Sequence, residues 1–275
     1  MEQIIDRNQQ LRFAVIHAAS SLNNMVQEMM KKQLELKRIT KTAALLFSSG
    51  FASPSTNASV IMKCQNAQHE DGGWVAIVDT MWNAYFLSLC CNNYNIIENA
   101  HKYLVANQGK TQIWGRSRRD IERIPVSGMM LYLFPCLASE ERLHSLENLW
   151  ISEQGSLTYK ASYTLMAFSK NNYMSKRSNL INDTVQWLID NQRDDGSFAP
   201  WKSHPVSSDT YCTAIALLGM MSYRELVPVD KLQRAVAWLL DTQLHLGIWP
   251  YHEIDDGTSW ALYALSEFQK TKISL

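Results

Sequence analysis

Two kinds of apolar pattern alternate along the chain. One is amphipathic: apolar residues recur every three or four positions, charges occupy the other face, and an aromatic residue stands five positions before a closing glutamine (Tyr103, Trp187, Trp238). The other is apolar nearly all round and covers 79–87, 126–134, 158–168, 209–217 and 258–265. A helix with one apolar stripe packs on the outside of a core, and a helix apolar on every side is buried within it. Each repeat therefore predicts an outer helix followed by an inner one. Asp79, Thr158, Asp209 and Thr258 open inner runs and read as N-caps, since their side-chain oxygens can accept from free backbone N–H groups.

A polar phrase recurs between the two patterns. It runs Gln68-His-Glu-Asp-Gly-Gly-Trp74, Gln108-Gly-Lys-Thr-Gln-Ile-Trp114, Gln192-Arg-Asp-Asp-Gly-Ser-Phe198 and Gln243-Leu-His-Leu-Gly-Ile-Trp249, with a degenerate copy at Gln154-Gly-Ser-Leu157. The glutamines are 40, 46, 38 and 51 residues apart, a repeat architecture rather than chance. The expected helix pairs span about 57–91, 96–137, 140–170, 176–222 and 229–270. Residues 1–47 read as a divergent first pair, and 51–57 as the loop after it. Nothing resembles a flexible linker, so 1–275 reads as one all-α domain.

Composition narrows the class. Apolar residues make up 46% of the chain, ample for a large core. The balance of 26 basic and 26 acidic residues argues against a surface wholly committed to nucleic acid or anionic lipid. The N-terminal MEQIIDRNQQ lacks the basic start and apolar run of a signal peptide, and no stretch approaches the ~20 apolar residues of a membrane span. Five cysteines, an odd number without framework spacing or a C-x-x-C pair, read as reduced thiols in a cytoplasmic protein.

The repeat resembles the QW motif of squalene-hopene cyclases, oxidosqualene cyclases and the matching domain of class II diterpene cyclases, over roughly residues 57–270. That resemblance implies an α/α toroid of six inner and six outer helices, with Gln and Trp tying neighbouring repeats together and the active site inside the ring. Complete cyclases of this kind carry two such domains; this chain has room for one. In such a ring all inner helices start at the same end, where their N-termini add partial positive charge and free N–H groups suited to a diphosphate. The inner helices are rich in aromatics, among them Trp82, Tyr85, Tyr159, Tyr163, Tyr211, Trp260 and Tyr263. Ordinary core packing accounts for any one of them. Together they could line a cavity whose π-faces stabilise a carbocation.

Four groups carry candidate chemistry. Glu253-Ile-Asp255-Asp256 precedes the last inner helix and resembles the Asp-x-Asp-Asp of class II cyclases, whose middle Asp protonates an alkene or epoxide. Glu253 replaces the first Asp. Gly257 leaves open whether Asp255 or Asp256 takes the acid position, and an acidic turn near an N-cap is the plain alternative. Neighbouring carboxylates in a dry site would keep one proton available. Second, Arg116, Arg118, Arg119 and Arg123 crowd one turn, where guanidinium forks could hold a diphosphate, alone or with a magnesium ion, or pair with Asp120 and Glu122. Third, Asp79 and Asp209, each followed by Thr, are accounted for by capping, and Glu70, Asp71, Asp194 and Asp195 belong to the turns. Fourth, the β subunits of protein prenyltransferases share the toroid and bind zinc through Asp-x-Cys and a distant His. Here Cys212 lies three residues after Asp209, and neither His204 nor His252 is in the matching position, which speaks against zinc.

The leading expectation is a class II type terpene cyclase that starts cyclisation of a linear isoprenoid or meroterpenoid by proton transfer, with Asp255 or Asp256 as acid and no redox cofactor. The alternatives are a prenyltransferase-like enzyme and a non-catalytic toroid that binds an isoprenoid or a protein. Peripheral membrane contact, and a second copy or partner closing the open face of the ring, remain open at this stage. No nucleic-acid partner is expected.

Overall fold

A computed structural model describes residues 6–51, 53–91, 93–153, 155–205 and 208–275. Among the described residues there are twelve α-helices and no strand. The outer helices are α1 (Arg7–Lys31), α3 (Pro54–Asn66), α5 (Tyr94–Ala106), α7 (Glu140–Glu153), α9 (Leu180–Asp190) and α11 (Val229–Thr242). The inner helices are α2 (Leu36–Ser48), α4 (Ile77–Cys90), α6 (Ile124–Leu133), α8 (Thr158–Lys170), α10 (Thr210–Met221) and α12 (Ile254–Lys270). The two apolar patterns sort as their physics requires. In α11 a single stripe, Leu232, Ala235, Val236, Leu239 and Leu240, is buried, whereas in α8 every residue from Ala161 to Phe168 is. The inner helices pack side by side into a ring, except that α4 and α6 barely meet.

Local details depart from the sequence reading. The stretch 51–57 is not all loop: Pro54 starts α3, where its missing N–H costs nothing because a first-turn amide has no intrahelical partner. Asp209 does cap α10, accepting from Cys212 N at 2.5 Å. Asp79 does not cap α4, because Ala76 holds the cap position and Asp79 is the third helical residue. Leu157 and Glu253 precede α8 and α12, so Thr158 and Thr258 lie inside their helices. Ala52, and Gln154 with its copy of the turn phrase, lie outside the described residues.

The turn phrase is a staple. The indole N–H of Trp74, Trp114 and Trp249 reaches back to the carbonyl ten residues earlier, on Cys64, Leu104 and Leu239, at 3.1, 2.7 and 2.7 Å. Three glutamine amides each bridge their own turn and the next outer helix. Gln68 donates to Gly72 O and Ile96 O, Gln192 to Gly196 O and Lys231 O, and Gln243 to Gly247 O and Ala14 O, all at 2.8–3.2 Å. Gln108 does the same job in reverse, accepting from Arg142 of α7 at 2.9 Å. A hydroxyl on the following inner helix completes the unit: Thr80, Ser127, Thr213 and Thr258 accept the backbone N–H of Trp74, Trp114, Phe198 and Trp249 at 2.9–3.1 Å.

The last staple closes the ring, since the Gln243 to Ala14 bond joins α11 to α1. Gly247 makes that closure possible. Its φ of +75° is left-handed, and a Cβ there would lie 2.7 Å from the His17 backbone. Arg7 pairs with Asp241 at 2.6 Å beside it.

Candidate active site

All inner helices begin at the face that carries the turns, and there a cavity of about 520 Å³ opens at the α4–α6 gap. Trp82 and Met81 line it from α4, Val126 and Met129 from α6, Tyr163 from α8, Tyr211 from α10 and Trp260 from α12. Lys37 and Lys41 of α2, Asp79 of α4, and Arg116 and Ser117 of the arginine turn stand at its mouth. The floor is aromatic and interlocked. The hydroxyls of Tyr163 and Tyr211 lie 2.5 Å apart, and Trp260 meets Trp82 edge-on with ring centres at 6.0 Å. The Trp260 indole N–H is buried without a hydrogen-bond partner.

The other aromatics expected at the substrate do not line this cavity. Tyr263 lies one helical turn below Trp260, with its hydroxyl bonded to Tyr132 at 2.7 Å. Tyr85 is on that lower storey too, 3.2 Å from Ser48 Oγ and edge-on to Phe134. Tyr159 packs edge-on against Tyr211 from the flank. Helical spacing put these rings on inner helices; only the depth of each turn within the ring separates cavity wall from core.

Asp79 is the single carboxyl among the described residues that line the cavity. It is half-buried and forms no ion pair among the described residues, and burial pushes its pKa up against the opposing charge of Lys37. The shift favours the protonated form of a carboxyl at the rim of an aromatic cavity.

Asp255 and Asp256 lie in an adjoining cleft of about 310 Å³ with Glu253, Arg38 and Lys41. Asp255 is buried and bound by the Arg38 fork, with Nε on Oδ2 at 2.7 Å and Nη2 on Oδ1. Asp256, the third residue of α12 as Asp79 is of α4, is paired with Lys41. Lys41 also lies over the Trp82 ring at 5.8 Å. Glu253 is exposed. The two aspartates thus face α2 cations, not each other's repulsion alone as the sequence suggested. The α2 cations escaped the sequence reading because the first repeat is divergent. The signal was nonetheless present: Lys37, Arg38 and Lys41 interrupt one side of an otherwise apolar helix.

The arginine turn divides. Arg116 faces the cavity and its guanidinium forms no ion pair among the described residues. Arg123 is bound within the turn to Asp120, at 2.7 and 3.0 Å, and those bonds hold the Asp120 carboxyl down at about 2. Arg118 lies over the Tyr103 ring at 5.4 Å and reaches Asp71 at 3.4 Å. Arg119 is exposed. Asp209, Cys212, His204 and His252 do not form a metal site: among the described residues no group of three or more His, Cys, Asp and Glu side chains is arranged to hold a metal ion. No helix among the described residues is long and apolar enough to cross a membrane.

No protein-family model matches the sequence, and no curated protein sequence matches it. Solved structures do. The chain is similar to the type II terpene cyclase MstE from Scytonema, with a TM-score of 0.69 at 13% identity over 95% of this chain and 99% of that one. A variant of the same cyclase in complex with geranylgeranyl dihydroxybenzoate, described as its substrate, gives a TM-score of 0.71 at 14% identity over 94% and 97%. ent-Copalyl diphosphate synthase from Streptomyces platensis gives 0.58 at 13% identity over 84% of this chain but 50% of that one. A possible member of the GH105 family from Salmonella enterica gives 0.64 at 10% identity over 99% and 97%. What these proteins share with the chain is the α/α toroid, a ring common to cyclases and a possible GH105-family member alike.

Proposed function

We propose that the protein is a class II type terpene cyclase with Asp79 as its acid. The observation that carries this reading is the Asp79 carboxyl, half-buried at the mouth of an aromatic cavity and without an ion-pair partner among the described residues. The fold alone does not choose among functions. The lining supports the cyclase reading: one carboxyl above Trp82, Trp260, Tyr163 and Tyr211 suits protonation of a polyene better than glycoside hydrolysis, which in most families uses two carboxyls. Asp79 transfers its proton to the terminal carbon of an alkene, whose π electrons form the new C–H bond, or to the oxygen of an epoxide, whose C–O bond then opens. The cation left behind is attacked by the next double bond, and the ring faces stabilise the positive charge as it moves. Loss of a proton ends the sequence, so the product is an isomer of the substrate.

Size bounds the chain. A cavity of about 150 Å³ accommodates benzene, or roughly 25 Å³ per carbon. By that ratio 520 Å³ suits a chain of about twenty carbons. Asp255 and Asp256 then serve the ring, clasping α12 to α2. The test is to incubate the protein with linear polyprenyl alcohols, acids and diphosphates of fifteen to thirty carbons and analyse extracts by mass spectrometry. Cyclised products should form, and Asp79→Asn should lower their rate by at least ~10²-fold, as loss of a positioned acid does. Asp255→Asn and Asp256→Asn should retain more activity. A larger loss in either of those variants than in Asp79→Asn would return the acid to the α12 motif; no product from any substrate would favour a binding toroid.

A further inference from the structure

We propose that Trp260, backed by a crossbar of Tyr132 and Tyr263, is the stop that sets how long a chain the cavity takes. The inference rests on reading the cavity as an isoprenoid site and adds the residues that measure the isoprenoid. The inner helices follow one another around the ring as α2, α4, α6, α8, α10 and α12, so α6 and α12 stand on opposite sides of the bore. Tyr132 of α6 and Tyr263 of α12 nonetheless meet hydroxyl to hydroxyl at 2.7 Å. Two phenols placed tip to tip thus span a space that the helices leave open. Burial pushes the Tyr132 hydroxyl up to about 12, so the crossbar stays neutral and bonded at ordinary pH. Beneath it a separate pocket of about 330 Å³ opens where α10 and α12 end, at the face opposite the cavity mouth, lined in part by Tyr132, Leu218 and Met221. The crossbar stands between the two.

Trp260 rests on this crossbar. Its ring meets Tyr263 edge-on at 6.2 Å below it, and Trp82 and Tyr211 at 6.0 and 6.4 Å at the level of the cavity. Among the described residues, it is the one cavity-lining ring whose ring contact continues down to the crossbar. Only 1% of Trp260 is exposed, and its indole N–H has no hydrogen-bond partner among the described residues. Buried indoles usually spend that N–H on a partner, as Trp74, Trp114 and Trp249 do. What Trp260 contributes is therefore bulk and a ring face, and a smaller side chain can replace it without breaking a hydrogen bond. Asp79 fixes the other end of the measure. With a reacting carbon held there, the number of carbons that fit below is set by the first side chain that closes the bore. Trp260→Leu removes about six heavy atoms, the size of benzene, or about 150 Å³. That is room for about one more five-carbon prenyl unit by the same ratio.

Binding of linear polyprenols of fifteen, twenty, twenty-five and thirty carbons tests the stop without requiring turnover. Trp82 stays in the cavity in every variant, so quenching of tryptophan fluorescence reports occupancy. The parent should bind the twenty-carbon alcohol about tenfold more tightly than the twenty-five-carbon one. Trp260→Leu should reverse that order and still refuse the thirty-carbon alcohol, because the crossbar remains. Trp260→Phe removes less and should narrow the preference without reversing it. Trp260→Leu combined with Tyr263→Ala opens the bore toward the lower pocket and should admit the thirty-carbon alcohol. Tyr263→Phe breaks the hydroxyl bond but keeps the ring, and should keep the parent's order. Melting temperatures show which variants fold. An unchanged twenty-carbon preference in Trp260→Leu would overturn the stop while leaving the isoprenoid cavity standing. If that variant does not fold, an unchanged preference in Trp260→Phe overturns it alone. Thirty carbons admitted by Trp260→Leu with the crossbar intact would remove Tyr132 and Tyr263 from the measure. A parent that binds none of the alcohols would bring down both readings.

Discussion

Asp79 and Asp256 occupy the same position, the third residue of an inner helix, and differ in what faces them. Lys41 meets Asp256; among the described residues no cation lies within ion-pairing distance of Asp79. Burial therefore raises the Asp79 pKa, and Lys37 tempers the rise. The sign of the pH dependence follows. A proton donor is lost when it ionises, so turnover should fall as pH rises through the elevated Asp79 pKa. Lys37→Met removes the tempering charge, so the alkaline limb of the kcat profile should move to higher pH. A limb that stays in place would separate Lys37 from the acid. Stability is linked in the same direction. In the folded state Asp79 holds its proton above the pH at which the unfolded chain releases it, so its contribution falls as pH climbs through that window.

At the scale of the helix pair, the staple carries the architecture. The Trp249 ring is fully buried, its indole N–H bonds Leu239 O, and its backbone N–H bonds Thr258 Oγ1. Trp249→Ala removes a large core side chain and leaves the Leu239 carbonyl without its partner, for a cost of about 3–5 kcal/mol. Thr258→Val is nearly isosteric and isolates one role: it strips the acceptor from a buried N–H, for about 1–3 kcal/mol. Urea unfolding of the two variants should rank them in that order. A Thr258→Val protein as stable as the parent would mean that the hydroxyl register on the inner helices is incidental.

For the whole molecule, closure joins elements more than two hundred residues apart. Gln243 reaches α1, and Arg38 of α2 grips Asp255 of α12. Asp255 is nearly sealed from solvent, but 35% of the Arg38 side chain is exposed, so the pair is worth less than a fully buried one. Asp255→Ala should cost about 1–3 kcal/mol, between the surface and buried limits, because it leaves a partly buried guanidinium unpaired. Arg38→Ala should cost a similar amount, and the double variant less than the two losses added. Additive losses in that cycle would mean the clasp contributes nothing to closing the ring.

Much of this was legible one residue at a time. The two apolar periods separated inner from outer helices because a period of 3.6 with one polar face can only be a surface helix, and a run without one can only be a core helix. The Gln-to-aromatic phrase located the turns because its bonds are local: Trp249 to Leu239, Gln243 to Gly247. The pairing of the carboxyls was not local. From sequence Asp255 or Asp256 reads as the acid of the last inner helix and Asp79 as a cap. Which of them keeps a free carboxyl depends on Lys37, Arg38 and Lys41, which reach α4 and α12 only when the ring brings α2 between them. Depth was hidden for the same reason. Tyr163 and Tyr263 follow the same helical rule, and only the packing of six inner helices puts one on the cavity wall and the other against Tyr132 beneath it. Periodicity and capping are properties of neighbouring residues, so the chain alone determines them. Charge pairing and cavity depth are properties of the space between distant helices, so the tertiary structure decides them.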